Sequence, residues 1–96
     1  MSWTVIIRPR AEADLQEAKE WFEERRKGLG TSRVVAIRVA VAALRENPNR
    51  FPDYYRGFRR VLVRRFPYKV FYRIEGDRVI VFRVLHAKQD HTRHLE

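Results

Sequence analysis

Residues 58–86, FRRVLVRRFPYKVFYRIEGDRVIVFRVLH, decide the fold. They contain three runs dense in Val, Ile, Leu, Phe and Tyr, at about Phe58–Arg65, Tyr68–Ile74 and Arg78–His86, and such residues favour extended backbone. Glu75-Gly76-Asp77 marks a tight hairpin between the last two runs, and Phe66-Pro67 a short connection before Tyr68. Tandem hairpins make the three strands antiparallel neighbours. Side chains alternate across a sheet, so Tyr68, Val70, Tyr72 and Ile74 form one apolar face while Lys69, Phe71 and Arg73 point the other way, with Arg83 beside them.

Upstream, Asn47, Pro48, Asn49, Pro52 and Gly57 break the hydrophobic pattern, so residues 47–57 are read as a loop dividing a strand half from a helical half. A helix is expected from Thr31 or Ser32, either of which can cap it, to about Arg45. Val34, Ile37, Val41 and Leu44 form a line of large residues on it, suited to covering a sheet. Ala36, Ala40 and Ala43 form a line of small ones, over which a second helix can pack closely. Val35 and Val39 belong to neither line; they are either core periphery or part of a protein-binding surface. Before the Gly28-Leu29-Gly30 break, a first helix runs from about Pro9 to Lys27. Leu15, Ala18 and Phe22 form its stripe, acids favour its start, and Arg25, Arg26 and Lys27 suit the negative end of its dipole. Trp3–Ile7 reads as a short strand ended by Pro9. The expected fold is α+β: an N-terminal strand, a helical hairpin and a three-stranded antiparallel meander, with both helices on one face of the sheet and the other face open.

Ninety-six residues give room for one domain, spanning 1–96. Twelve Trp, Tyr and Phe residues are enough to fill its core. The absence of cysteine removes disulfides, thiolate metal sites and Cys nucleophiles, and fits a reducing cytoplasm. No apolar run reaches transmembrane length, so no membrane association is expected. Charge is the positive clue: basic residues outnumber acidic ones nine to seven in residues 1–48 but twelve to five in 49–96. A field of that sign favours a polyanionic or acidic partner. Seventeen of the basic residues are Arg, whose planar fork suits bidentate binding of phosphate or carboxylate.

Serine chemistry has little support, since Ser2 is terminal and Ser32 sits at a helix cap. His86, His91 and His94 with Asp90 match no recognised metal-ligand spacing; neither metal nor cofactor is expected. Gly28 and Gly30 separate two helices rather than following a strand, so they form no phosphate-cradling glycine loop. Arginine chemistry remains. Arg60, Arg64, Arg65, Lys69 and Arg73 are candidates for binding phosphate or a target surface, although adjacent arginines on one strand must face opposite ways. RNA cleavage needs no metal when a 2′-hydroxyl attacks the adjacent phosphate: His86 is the candidate acid or base, and Arg83 the candidate phosphate holder.

In order and spacing the landmarks resemble the RelE/ParE superfamily of type II toxin–antitoxin toxins, especially its ParE-like, plasmid-stabilisation branch. They are Pro9, Ala13, Asp14-Leu15, Ala18 and Trp21-Phe22; Gly28-Leu29-Gly30; Asn47-Pro48; Arg59-Arg60; Arg65-Phe66-Pro67-Tyr68 leading to Tyr72; and Val84-Leu85-His86. The resemblance implies a cognate antitoxin that wraps and neutralises the domain in a hetero-oligomer. It also implies a target: DNA gyrase for characterised ParE-like members, which are not nucleases, or the ribosome and its mRNA for RelE-like endonucleases. An inactive homologue serving as antitoxin partner or corepressor is the third reading. The sequence has no tyrosine after Tyr72 for the RelE reaction, and His86-Ala87-Lys88-Gln89-Asp90-His91 departs from the His-x-x-Arg-Asp-Pro ending of ParE-like relatives. Arg33 stands where those relatives carry an aromatic residue. Gyrase binding without chemistry is therefore the leading expectation, with Val35 and Val39 as antitoxin contacts. Leu95-Glu96, a pair that cloning sites leave behind, is assigned no function.

Overall fold

Pro9 turns a strand into a helix. In the computed structural model, which describes residues 3–89 and 91–95, β1 (Thr4–Ile7) ends one residue before α1 (Pro9–Arg25). The proline ring presets φ for the first helical turn, and the N–H it lacks would have had no partner there. α2 (Leu29–Ala43) and a 3-10 turn (Pro48–Arg50) follow. Next come β2 (Asp53–Tyr55), β3 (Phe58–Leu62), β4 (Tyr68–Glu75), β5 (Arg78–His86) and a single helical turn, α3 (His91–His94). The sheet has the order β1-β5-β4-β3-β2, with β1 parallel to β5 and the other pairs antiparallel.

The helical hairpin covers one face as expected. Ala11, Leu15, Ile37, Val41 and Leu44 pack on Val70, Tyr72, Val79, Val81 and Val84, with Tyr68 and Ile74 at the margin. The Tyr72 hydroxyl donates to the Pro48 carbonyl at 2.6 Å, pinning the connection after α2 to the sheet; burial pushes this phenol up to about 12.

Four expectations need correction. The 47–57 segment is not all loop: Asp53–Tyr55 pairs with β3 through a hairpin whose turn residues, Arg56 and Gly57, have φ of 46° and 83°. Such a turn needs positive φ at both positions, and Arg56 supplies it without the usual Asn or Asp. The outer face is not open either, because Phe71 is fully buried there with Phe58, Leu85 and Leu95 beside α3. Leu95 thus belongs to a second core; Ser2, Asp90 and Glu96 lie outside the described residues. Ala36, Ala40 and Ala43 line a groove facing Phe51 and Val61. A close helix–helix approach is instead at Gly30, where a Cβ would collide with the Lys19 carbonyl oxygen.

Finally, neither Thr31 nor Ser32 caps α2. Helix α1 stops at Arg25, and Gly28, at φ 84°, stands at the cap position of α2, three residues before Thr31. The Glu23 carboxylate of α1 accepts the Gly28 N–H at 3.0 Å and the Thr31 N–H at 3.2 Å, doing for α2 what a capping side chain does from its own helix. Those bonds, to Gly28 first and Thr31 second, hold the Glu23 carboxyl below its ordinary value of 4.5. Its contribution is therefore present above that pH and is lost as pH falls through the lowered folded value. Thermal melts of Glu23→Gln should lie below the parent at pH 7, and the gap should close as the pH falls below 4.5. A gap of equal size at about pH 3 would refute a charge-assisted cap.

Candidate functional site

The C-terminal half of β5 has lost its outer neighbour. β1 pairs with residues 78–81 and ends, after which α1 passes along the exposed strand edge. Asp14, 5% exposed, fills the gap: Oδ2 accepts from Val84 N at 2.9 Å and Arg83 Nε at 2.8 Å, and Oδ1 accepts from Arg83 Nη2 at 3.0 Å. One carboxylate thus satisfies a strand-edge amide and a guanidinium fork at once. Arg83 is only 8% exposed, and its Nη1 lies 3.4 Å from both the carbonyl oxygen and Nδ1 of His94. It points outward as expected, but it is buried and paired rather than displayed.

Arg83 and His86, three positions apart in a regularly paired stretch of β5, fall on opposite faces by ordinary alternation, and a bulge lies just before them. Tyr72 pairs with Val81 and Phe71 with Arg83, so Phe82 has no partner in the ladder. Arg83 lines an outer cavity of about 570 Å3 with Arg8, Arg10, Arg56, Arg73 and His94, over Phe58 and Phe82. His86 lines a separate cleft of about 290 Å3 with Glu17, Trp21, Tyr68 and Gln89, and Asp14 at its base. The His86 ring meets the Tyr68 ring edge-on at 5.3 Å, and its Nδ1 accepts the Lys88 N–H at 3.1 Å. Burial first, and the Asp14 charge second, push the Tyr68 phenol up. His91 is buried against Phe71, with Nε2 3.0 Å from the His86 carbonyl oxygen. Among the described residues no three His, Asp or Glu side chains are grouped to hold a metal ion.

A third cavity, of about 680 Å3, lies between α2 and β3. Ala36, Val39, Ala40, Phe51, Val61 and Leu62 form its walls, and Arg50, Arg60 and Arg64, with Glu46 as the one acid, its charged rim. Val35 and Val39, at 56% and 65% exposure, stand out from α2, and Leu62 across the groove is 64% exposed. The Arg60 guanidinium lies over the Tyr54 ring at 3.8 Å. Arg65, at φ 70°, is exposed in the β3–β4 connection, and Lys69 is half-buried on β4. Arg60 and Arg64 therefore gather with Val39. Arg73 and Arg83 gather elsewhere, and His86 stands apart from both groups. Sequence reasoning passed over Arg8, Arg56 and Phe82; the turn and the bulge that aim the last two leave no periodic signal.

A helical hairpin laid on one face of such a sheet is the fold of the RelE/ParE class of toxins. The chain is similar to a chain of the chromosomal ParDE system of P. aeruginosa, with TM-score 0.81, 19% identity, and 88% of this chain and 96% of that one covered. It is also similar to a chain of the RelBE2 toxin–antitoxin complex of Mycobacterium tuberculosis (0.65, 24%, 90% and 92%) and to a mutant of E. coli toxin RelE in the free state (0.70, 14%, 97% and 92%). None of the curated sequences compared with the chain matches it. The profile of the ParE toxin of type II toxin–antitoxin system, parDE, matches residues 5–91, and the chain belongs to that family.

Asp14→Ala would leave a buried guanidinium and the Val84 amide without their acceptor, so it should destabilise the fold by about 3–5 kcal/mol in denaturant titrations. Combining it with Arg83→Met should recover part of that loss. A single-mutant loss below about 1 kcal/mol would remove Asp14 from this role.

Proposed function

We propose that this ParE-family chain is a toxin that binds DNA gyrase without cutting nucleic acid, and that a cognate antitoxin neutralises it by covering the groove between α2 and β3. The observation that carries the reading is the separation of Arg83 from His86. A metal-independent RNA cleavage site needs a proton-transfer group and a free cation converging on one phosphate. Here the Arg83 fork is taken up by Asp14, and His86 faces another cleft, beside Glu17, whose charge opposes phosphate entry. Arg60, Arg64, Arg65, Lys69 and Arg73 then serve as contacts to gyrase or its DNA. The groove supports the antitoxin half of the proposal: its apolar walls suit one face of an amphipathic segment, and Arg50, Arg60 and Arg64 suit acids on that segment's edge. Formation of a toxin–antitoxin hetero-oligomer follows from that fit.

The antitoxin-free chain, incubated with gyrase, supercoiled plasmid and ATP, should yield linear DNA once the gyrase is denatured. Intact plasmid, with the same preparation cutting ribosome-bound mRNA, would overturn the gyrase reading in favour of the endonuclease. Inactivity in both assays would favour an inactive partner of the antitoxin. Separately, Val35→Asp combined with Val39→Asp should weaken binding of the adjacently encoded antitoxin at least about tenfold, or about 1.4 kcal/mol, with an unchanged melt. Unaltered affinity would remove this face of α2 from the interface.

A further inference from the structure

The outer cavity gathers positive charge without the acids that neutralise it elsewhere. Arg10 is held at the rim by Glu17 at 3.6 Å, and Arg83 is held by Asp14 at 2.8 Å. Arg8, Arg56 and Arg73 line the same cavity, and among the described residues no carboxylate pairs with any of them. Aromatic rings fix these three instead. The Arg8 guanidinium lies 4.0 Å from the Phe82 ring centre, Arg73 lies 4.9 Å from Phe58 and 6.0 Å from Phe82, and Arg56 lies 5.3 Å from Tyr55. Phe58 and Phe82 themselves meet edge to face at 4.8 Å. Gly57 completes the arrangement, since a Cβ there would come within 3.3 Å of Arg73 Nη2.

Contact with a ring face occupies the π surface of a guanidinium and leaves its in-plane N–H donors free. Arg8 and Arg73 line one cavity around the Phe82 ring, so their charges add to a single positive field, which an anion in the cavity would relieve. The surroundings narrow the class of anion. The neighbouring strand edge is closed to a peptide, because Arg8 N–H is bonded to the Val81 carbonyl and Val84 N–H to Asp14. A guanidinium lies against each of Phe58 and Phe82, which leaves a partner less ring surface for an apolar or base-stacking contact. What remains is recognition by charge and forked hydrogen bonds, which suits the oxygens of a phosphodiester backbone.

We propose that Arg8, Arg56 and Arg73 form a nucleic-acid backbone site that binds phosphates irrespective of base sequence. The proposal shares Arg73 with the gyrase reading and adds Arg8 and Arg56 to it, and because it concerns the isolated chain and naked nucleic acid, its failure and that of the gyrase reading are separate outcomes. The test is fluorescence anisotropy of a labelled 16-base-pair DNA duplex, with RNA of equal length in parallel, across a series of salt concentrations. Each lost phosphate contact should lower the slope of log K against log salt by about 0.9 for the duplex. Arg8→Gln with Arg73→Gln should lower it by about 1.8, whereas Arg26→Gln with Arg45→Gln, an equal change of charge elsewhere, should not. Because Arg8 adjoins α1, Arg56→Asn provides an independent arm at an exposed turn that tolerates positive φ, with an expected fall of about 0.9. Equal slopes for parent and cavity variants, or equal falls in the control pair, would overturn the proposal. So would tighter binding of polyglutamate than of either nucleic acid at the same charge. Relative affinity for the duplex and RNA identifies the backbone preferred.

Discussion

Asp14 holds the fold together at the place where its sheet is incomplete. β1 stops at Ile7, and the rest of β5 would present unpaired amides to α1 as the helix crosses. A buried amide without an acceptor is costly, and so is a buried guanidinium. The chain resolves both with one carboxylate whose two oxygens meet Val84 N–H and the Arg83 fork. Because those partners lie about seventy positions apart in sequence, the interaction also ties the first helix to the last strand.

That constraint has a consequence for chemistry. With its fork committed to Asp14, Arg83 is oriented by the helix, and the Phe82 bulge shifts the alternation so that Val81 and Val84 both reach the helical face. The strand end therefore serves two cavities of opposite character. Glu17 and Asp14 make one acidic around His86, while Arg8, Arg56 and Arg73 make the other basic. Across the bulge residues of unlike parity share a side, whereas Arg83 and His86, both beyond it and three positions apart, are opposed by ordinary alternation. Alternation and the ion pair together keep the Arg83 fork from the imidazole.

How far the sequence could be read follows the range of the forces involved. Local periodicity sufficed for β5, whose limits, Arg78 and His86, emerge unchanged, and for the buried line Ile37, Val41 and Leu44. It sufficed for the helix-facing set of β4 as well. It failed where a distant group overrides a local preference. Thr31 and Ser32 are good caps by composition, yet Glu23 reaches the orphan amides first because Gly30 lets the helices close. Asp53–Tyr55 is too short to show alternation, and its Arg56-Gly57 turn lacks the usual chemistry. For the candidate site, Val35 and Val39 were legible only as lying off both core lines, either core periphery or surface, and they stand exposed. Arg83 looked free because nothing in a strand pattern announces a carboxylate on a helix near the other end of the chain.

The preference for arginine over lysine ties these observations together. A net charge of +9 on so small a chain penalises compaction through self-repulsion, and an ammonium would have to stay hydrated to be tolerated. A guanidinium has other options. Arg38 forks onto Glu12 between the helices, Arg83 forks onto Asp14 in the core, and Arg25, Arg33 and Arg60 lie over Trp21, Phe66 and Tyr54. Pairing spends the in-plane donors, whereas a ring contact conserves them. The paired arginines thus act as internal struts; among the ring-backed ones Arg25 also donates Nη1 to the Trp21 carbonyl at 2.9 Å and Arg33 buries its Nε, while Arg8, Arg60 and Arg73 stand at cavity rims with donors to offer outward. Since a ligand that binds only the folded state stabilises it, an acidic partner on those outward forks offsets the repulsion the free chain carries. Partner binding and fold stability are coupled in this molecule through the same side chains.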